Sequence, residues 1–109
     1  MAHKKFRTDE SALSRGYILD ILDAQAKRDR GNEEDIHTYL IEDVVYLKVG
    51  RRFPQSRETM RSHLYYLRDR GYAKCRNVEG EKNALMWRIT ADGVDVIEGV
   101  KSDKGVLID

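Results

Sequence analysis

The stretch SRETMRSHLYYLRDRGY, residues 56–72, decides how this chain folds. Ser56 is a favourable N-cap, because its hydroxyl can accept a backbone N–H of the first turn. Glu58 follows within that turn, where a carboxylate is attracted to the positive end of a helix. Gly71 supplies the residue just past the last turn, a position that often needs a left-handed backbone. These signals predict a helix over residues 56–70 that stops at Gly71.

The predicted helix has one narrow apolar face. With a rotation of about 100° for each residue, Met60, Leu64 and Leu67 fall on the same side of the helix. Arg57 and Arg68 lie at the flank of this side. The opposite side carries the polar set Glu58, Arg61, Ser62, Tyr65 and Asp69. One face of the helix is therefore expected to enter a core, while the other presents charged and hydroxyl groups outward.

Two helices are predicted upstream of this stretch. The first starts at about Ser11 or Ser14 and ends at Ala26, with apolar residues at helical spacing on two adjoining stripes. The second starts after Asn32, read as an N-cap followed by three carboxylates, and ends at Gly50.

Downstream, the period of the sequence changes. Residues 72–89 alternate around the polar segment 79–83, which predicts a β-hairpin. Thr90 then caps a short last helix from Ala91 to about Val100. Helix, helix, turn, helix, hairpin and terminal helix give an α+β, mainly α fold: a winged helix-turn-helix with three helices, a two-stranded wing and a C-terminal helix.

Length and composition favour one domain with an ionic surface. The chain has 109 residues, 40% of them hydrophobic and 36% charged. We expect a basic, flexible N-terminal arm over residues 1–10, a DNA-binding domain over residues 11–100 and a C-terminal tail over residues 101–109. The apolar run 106–108 in that tail is either loose or a strand-like hook onto a partner.

Several classes of protein are disfavoured. No apolar stretch approaches the roughly 20 residues that span a bilayer, and no secretory signal follows the basic start, so a cytoplasmic protein without membrane contact is expected. The histidines 3, 37 and 63 and Cys75 lack zinc-ligand spacing. Without a phosphate loop or a nucleophile motif, we expect no cofactor, no metal and no enzymatic activity. Cys75 either packs in a wing strand or acts as a redox-sensing thiol.

Residues 56–72, with their Ser-Arg-x-Thr-hydrophobic-Arg opening and Leu-x-x-Leu-x-x-x-Gly-Tyr close, resemble the recognition helix and first wing strand of bacterial winged-helix transcription regulators. Residues 87–93, WRITADG, are similar to the second wing strand and last helix of the MarR and PadR types. Residues 93–99 and the tail are also faintly similar to small winged-helix proteins of Mu-like prophages, which are often described as ArsR-like. The resemblance covers about residues 14–99 and implies a transcription regulator. The segment between residues 32 and 56 is longer than the corresponding helix and turn of these regulators.

Charge is unevenly distributed along the chain. Residues 51–89 carry ten Lys and Arg against four Asp and Glu, a net charge of +6 within a chain of net charge +1. Such a segment forms either a solvated surface or a basic face for nucleic acid. Within it, arginines and hydroxyls on the helix are suited to base edges, and the cations before it and on the hairpin are suited to phosphates. The residues expected to contact DNA are Arg51, Arg52, Ser56, Arg57, Thr59, Arg61, Ser62, Tyr65, Arg68, Lys74, Arg76 and Lys82.

Two functions follow as expectations. The first is a sequence-specific regulator that binds double-stranded DNA as a homodimer, pairing through Leu13, Tyr17, Ile18 and Ile21 of the first helix and the apolar tail. The second is a winged-helix module that binds another protein in a phage or replication assembly. Glu79 and Glu81 at the wing tip would repel phosphates, so the strands of the wing are better placed for DNA than its tip.

Overall fold

A computed structural model describes the backbone of residues 2–109 and the side chains of residues 10–109. The arm predicted for residues 1–10 therefore lies largely outside the described side chains. The part of the chain described is α+β and about half helical. Its elements are α1 (Ala2–Ala26), two 3₁₀ turns (Lys27–Asp29 and Ile36–Thr38), β1 (Leu40–Ile41), α2 (Glu42–Gly50), α3 (Arg57–Asp69), β2 (Ala73–Asn77), β3 (Leu85–Ile89) and α4 (Ala91–Ile97).

The prediction for α3 is confirmed at both ends. The Ser56 hydroxyl accepts the Thr59 backbone N–H at 3.1 Å. Gly71 has a φ of +82°, and Tyr72 N–H donates to the carbonyl of Leu67 at 2.9 Å, which is how a glycine-terminated helix satisfies its last carbonyls. The residues of its apolar face are fully buried: Met60, Leu64 and Leu67.

The predicted second helix is wrong over residues 33–41. The Asn32 side chain accepts the Glu34 N–H at 3.2 Å and closes a turn instead of capping a helix. Asp35 then caps a single 3₁₀ turn by accepting the His37 N–H at 2.9 Å. These short polar side chains satisfy backbone groups locally and so compete with a helix.

The segment also gains strand partners that the sequence pattern did not reveal. Leu40 and Ile41 pair antiparallel with Trp87 and Met86, so the sheet has the order β1-β3-β2 and β3 is its central strand. The predicted hairpin of β2 and β3 is confirmed, with Cys75 opposite Trp87. The α-helix begins only at Glu42, which accounts for the unusual length of this segment.

The terminal helices differ from prediction in length. α1 starts at Ala2, well before Ser11, and no proline or glycine precedes Gly16 to interrupt it. Thr90 caps α4 as predicted, accepting the Gly93 N–H at 3.1 Å. The helix ends at Ile97 because Gly99 takes a left-handed backbone with a φ of +78°.

The C-terminal tail is neither loose nor free. It packs on α1 of the same chain, where Leu107 N–H donates to the Ala12 carbonyl at 3.0 Å and Val106 is only 3% exposed. Gly16 permits this close approach, because a Cβ there would lie 1.9 Å from the carbonyl oxygen of Leu107. The Asp103 side chain accepts hydrogen bonds from two tyrosines of the domain, Tyr66 and Tyr72.

The tail contact predicts that replacing a helix glycine with alanine destabilises the protein, which is opposite to the usual effect. Gly16→Ala should lower the free energy of unfolding by about 1 to 3 kcal/mol, since the added methyl collides with tail backbone. Helix propensity alone predicts a gain of roughly 1 kcal/mol. Gly50→Ala in α2 is the matched control, because nothing lies within 4 Å of its added Cβ, and it should stabilise. Urea denaturation checks both, and a stabilising Gly16→Ala would contradict the tail position.

Candidate nucleic-acid interface

The N-terminal half of α3, with its cap, presents five of the twelve residues predicted to contact DNA. Ser56, Arg57, Thr59, Arg61 and Ser62 are exposed on its N-terminal half. The two hydroxyls of Ser56 and Thr59 also bond each other at 3.0 Å within the helix cap. Because the opposite face of α3 is buried in the core, this exposed face has a fixed orientation relative to the sheet.

A groove of about 650 Å³ joins part of this face to the wing. Its walls are the N-terminal half of α3, the first turn of α2 and the tip of the hairpin, so Arg57, Arg61 and Lys82 meet there. Three carboxylates line the same groove: Glu42, Asp43 and Glu81. The groove is therefore balanced in charge, in contrast to the +6 of the surrounding sequence segment.

Arg61 is held by a buried carboxylate. Its Nη2 and Nε donate to Oε2 of Glu42 at 2.6 and 3.1 Å, and these bonds raise the pKa of the guanidinium above its ordinary value. The other oxygen of Glu42 accepts the indole N–H of Trp87 at 3.1 Å. The Glu42 side chain is 5% exposed, whereas that of Arg61 is 47% exposed. Glu42 thus connects the core of the sheet to the surface of α3.

Arg57 has a different kind of partner. It pairs with Asp43, whose side chain is 69% exposed, and its guanidinium lies 5.4 Å from the ring centre of Tyr46. An exposed ion pair of this kind contributes less than about 1 kcal/mol, so a phosphate can replace the carboxylate. Arg57 is therefore available to an anionic ligand.

Four predicted phosphate contacts, Arg51, Arg52, Lys74 and Arg76, do not line the groove. Arg52 pairs with Asp109 of the tail. Lys74 donates to Glu33 at 3.0 Å, which raises its pKa, and Arg76 lies over the ring of Tyr39 at 5.5 Å. Among residues 10–109, the lysines and arginines of the predicted set without an ion pair are Arg51, Arg76 and Lys82.

The C-terminal half of α3 carries a cluster of packed side chains. Tyr65 is half-buried and packs on Trp87 with ring centres 5.9 Å apart and ring planes tilted by 54°. The guanidinium of Arg68 lies 4.6 Å from the ring centre of Tyr65 and also pairs with Asp69. Packing on Trp87 limits the freedom of Tyr65 to rotate toward a base.

Two important residues were missed by the sequence prediction. Glu42 was indistinguishable from the neighbouring acidic residues, since its burial depends on the position of β1. Arg88 carried a signal, because a charge inside the apolar run 85–89 is unusual. Its guanidinium is 1% exposed and donates to Thr38 Oγ1 and to the carbonyls of Asp29, Arg30 and Ile89 at 2.7 to 3.0 Å.

His63 faces inward on α3. Arg15 donates from Nε to its Nδ1 at 3.2 Å and from Nη1 to the Gly105 carbonyl at 3.2 Å. Burial, with the positive charge of Arg15 adding to it, lowers the pKa of His63 to about 4. Within the described part of the chain, no three His, Cys, Asp or Glu side chains come together as a metal site.

No model of a protein family, no curated protein and no solved structure matches this chain. Between residues 2 and 109, no helix combines the length and apolar character needed to cross a bilayer.

Stability should depend on His63 between pH 6.5 and 4. In that range the unfolded chain binds a proton at this residue and the folded chain does not, so acidification favours unfolding, by up to about 3 kcal/mol at pH 4. His63→Gln, which can still accept from Arg15, should lose that part of the pH dependence in denaturant titrations. His37→Gln, at an exposed histidine, is the control, and equal pH slopes in both variants would contradict the prediction.

The two arginines of the groove should differ in their effect on stability. Arg61→Ala leaves buried Glu42 without its cation and should cost about 1 to 2 kcal/mol, reduced from a fully buried pair by the exposure of Arg61. Arg57→Ala frees only an exposed carboxylate and should cost less than about 1 kcal/mol. Thermal unfolding of both variants makes the comparison, and a larger cost for Arg57→Ala would refute it.

Proposed function

We propose that this protein is a sequence-specific DNA-binding regulator that inserts α3 into the major groove of double-stranded DNA. The observation that carries the proposal is the convergence of Arg57, Arg61 and Lys82 on one side of α3, with the exposed hydroxyl of Ser62 on the same helix. A helix can enter the major groove, where guanidinium and hydroxyl groups meet base edges. The element order, compatible with a winged helix, supports the same reading.

The ion pairs limit how much charge can contribute to affinity. Arg61 is neutralised by Glu42, while Arg51, Arg76 and Lys82 have no ion pair in the described part of the chain and Arg57 has one that a phosphate can replace. About four phosphate contacts are thus expected. Neutralisation of each phosphate contributes roughly −0.9 to the slope of log K against log salt, so a slope between about −3 and −4 is expected.

A homodimer on a two-fold operator remains part of the proposal, but its contact surface needs revision. Ile18 is fully buried in the core, and Tyr17 packs on Phe53 of the same chain with ring centres 5.7 Å apart. The docked tail also covers part of α1. A dimer would therefore use surface outside these residues, and sedimentation of the chain with and without an operator measures whether it forms.

Selection of duplexes from a random library, followed by a salt titration, tests DNA binding. We expect enrichment of a defined sequence, and Lys82→Gln should weaken every duplex alike and reduce the salt slope by about 1. Lys101→Gln is the matched control, since it makes the same charge change beside Asp92 of α4. The proposal fails if no duplex is enriched, or if both lysine variants weaken binding equally.

A second function is favoured by exposed apolar side chains in a groove elsewhere, whose lining is otherwise mostly polar. Ile36 and Ile41, 41% and 45% exposed, line a groove of about 950 Å³ with Met86 near the end of α1. Exposed apolar surface of this kind suits an apolar segment of a partner protein. This alternative predicts that no duplex is enriched, and that an apolar peptide from a random peptide library binds the wild-type chain but not Ile41→Asp.

A further inference from the structure

Arg61 leaves one of its two hydrogen-bonding edges available. A guanidinium has a side edge, formed by Nε and one Nη, and an end edge, formed by the two Nη atoms. Both bonds to Glu42 come from Nε and Nη2, so they occupy the side edge. Nη1 donates to no acceptor among residues 10–109, and the side chain is 47% exposed at the groove. The end edge therefore remains as a pair of parallel donors.

This edge matches one base in particular. Guanine presents two acceptors, O6 and N7, in the major groove, and a guanidinium can donate to both at once. Such a contact is stronger when the direction of the guanidinium is fixed before binding, because each free rotation lost on binding reduces affinity. Glu42 supplies that constraint, since it is buried and held from behind by the indole N–H of Trp87.

We infer that Arg61 is the residue that discriminates guanine, and that Glu42 is a positioning residue that aims its end edge outward with its charge neutralised. The inference rests on the proposed function. It separates the two arginines of the groove: Arg61 recognises a base and adds little to salt-dependent affinity. Arg57, whose carboxylate partner is exposed and replaceable, neutralises a phosphate and adds to affinity for every sequence.

The opposing effects of one substitution distinguish positioning from general structural damage. Glu42→Gln removes the carboxylate and releases a full positive charge on Arg61. Preference for one G·C pair of the enriched duplex should fall about 10- to 100-fold. Binding to unrelated duplexes should tighten, with a salt slope steeper by about 0.9. A damaged fold would weaken both kinds of binding.

Three further variants complete the test. Asp43→Asn, the matched control beside Arg57, removes an adjacent exposed carboxylate and should keep the base preference. The double variant Glu42→Gln/Arg61→Gln removes both charges, so it should lose the preference and keep the wild-type slope. Glu42→Asp keeps the charge but shortens the side chain, and should lose preference without a steeper slope; it serves if Glu42→Gln does not fold.

An independent measurement needs no DNA. The Arg61 Nε–H proton should exchange slowly in the NMR spectrum of the wild-type protein and rapidly in Glu42→Gln, since only the carboxylate holds it. The inference is overturned if the wild-type chain enriches a duplex while Glu42→Gln keeps its base preference or weakens all duplexes alike. If the wild-type chain enriches no duplex, the proposed function fails, and the role assigned to Arg61 fails with it.

Discussion

The guanidinium of Arg88 organises the segment that joins α1 to the sheet. Buried on the central strand, it donates to Thr38 and to the carbonyls of Asp29 and Arg30, three points on the segment between α1 and β1. A buried cation without such acceptors would be strongly destabilising, so the segment is constrained to surround it. This constraint places Leu40 beside Trp87, which in turn brings Glu42 beneath α3. The orientation of Arg61 thus depends on a buried charge on the central strand of the sheet.

Local sequence patterns predicted an element correctly wherever the residues that begin and end it lie next to it in the sequence. α3, its Ser56 cap, its Gly71 stop, the hairpin and the Thr90 cap all follow from spacing and from turn chemistry, and the structure confirms them. The prediction for residues 33–41 was wrong because their structure is determined by Arg88 and Trp87, which lie far along the chain. A short stretch of sequence read for its periodicity does not include such distant partners. The same reason explains Glu42: its identity as an acidic residue was visible, but its burial was not.

At the candidate interface, the burial of a carboxylate decides whether the arginine paired with it can bind a ligand through its charge. Counting cations along residues 51–89 predicts a strongly positive face, yet the groove contains three carboxylates beside its three cations. An exposed partner such as Asp43 leaves its arginine usable by a ligand, because water already screens the pair. A buried partner such as Glu42 keeps the charge of its arginine paired, since its release would leave an unpaired carboxylate inside the protein, so only the end edge of Arg61 is left for a ligand. Two arginines on the same helix therefore differ in how much of their charge is available to an anionic ligand.

The docked tail has a consequence for the order in which the molecule forms. Arg15 and Gly105, which bond at 3.2 Å, are 90 residues apart in sequence, so this contact closes nearly the whole chain into a loop. Closing a long loop has a large entropic cost before any contact compensates it. The hairpin and α3 are local and can form early, whereas the tail is expected to dock last. Contacts formed after the transition state act mainly on the unfolding rate. The docked tail therefore slows the unfolding of a domain that has already assembled.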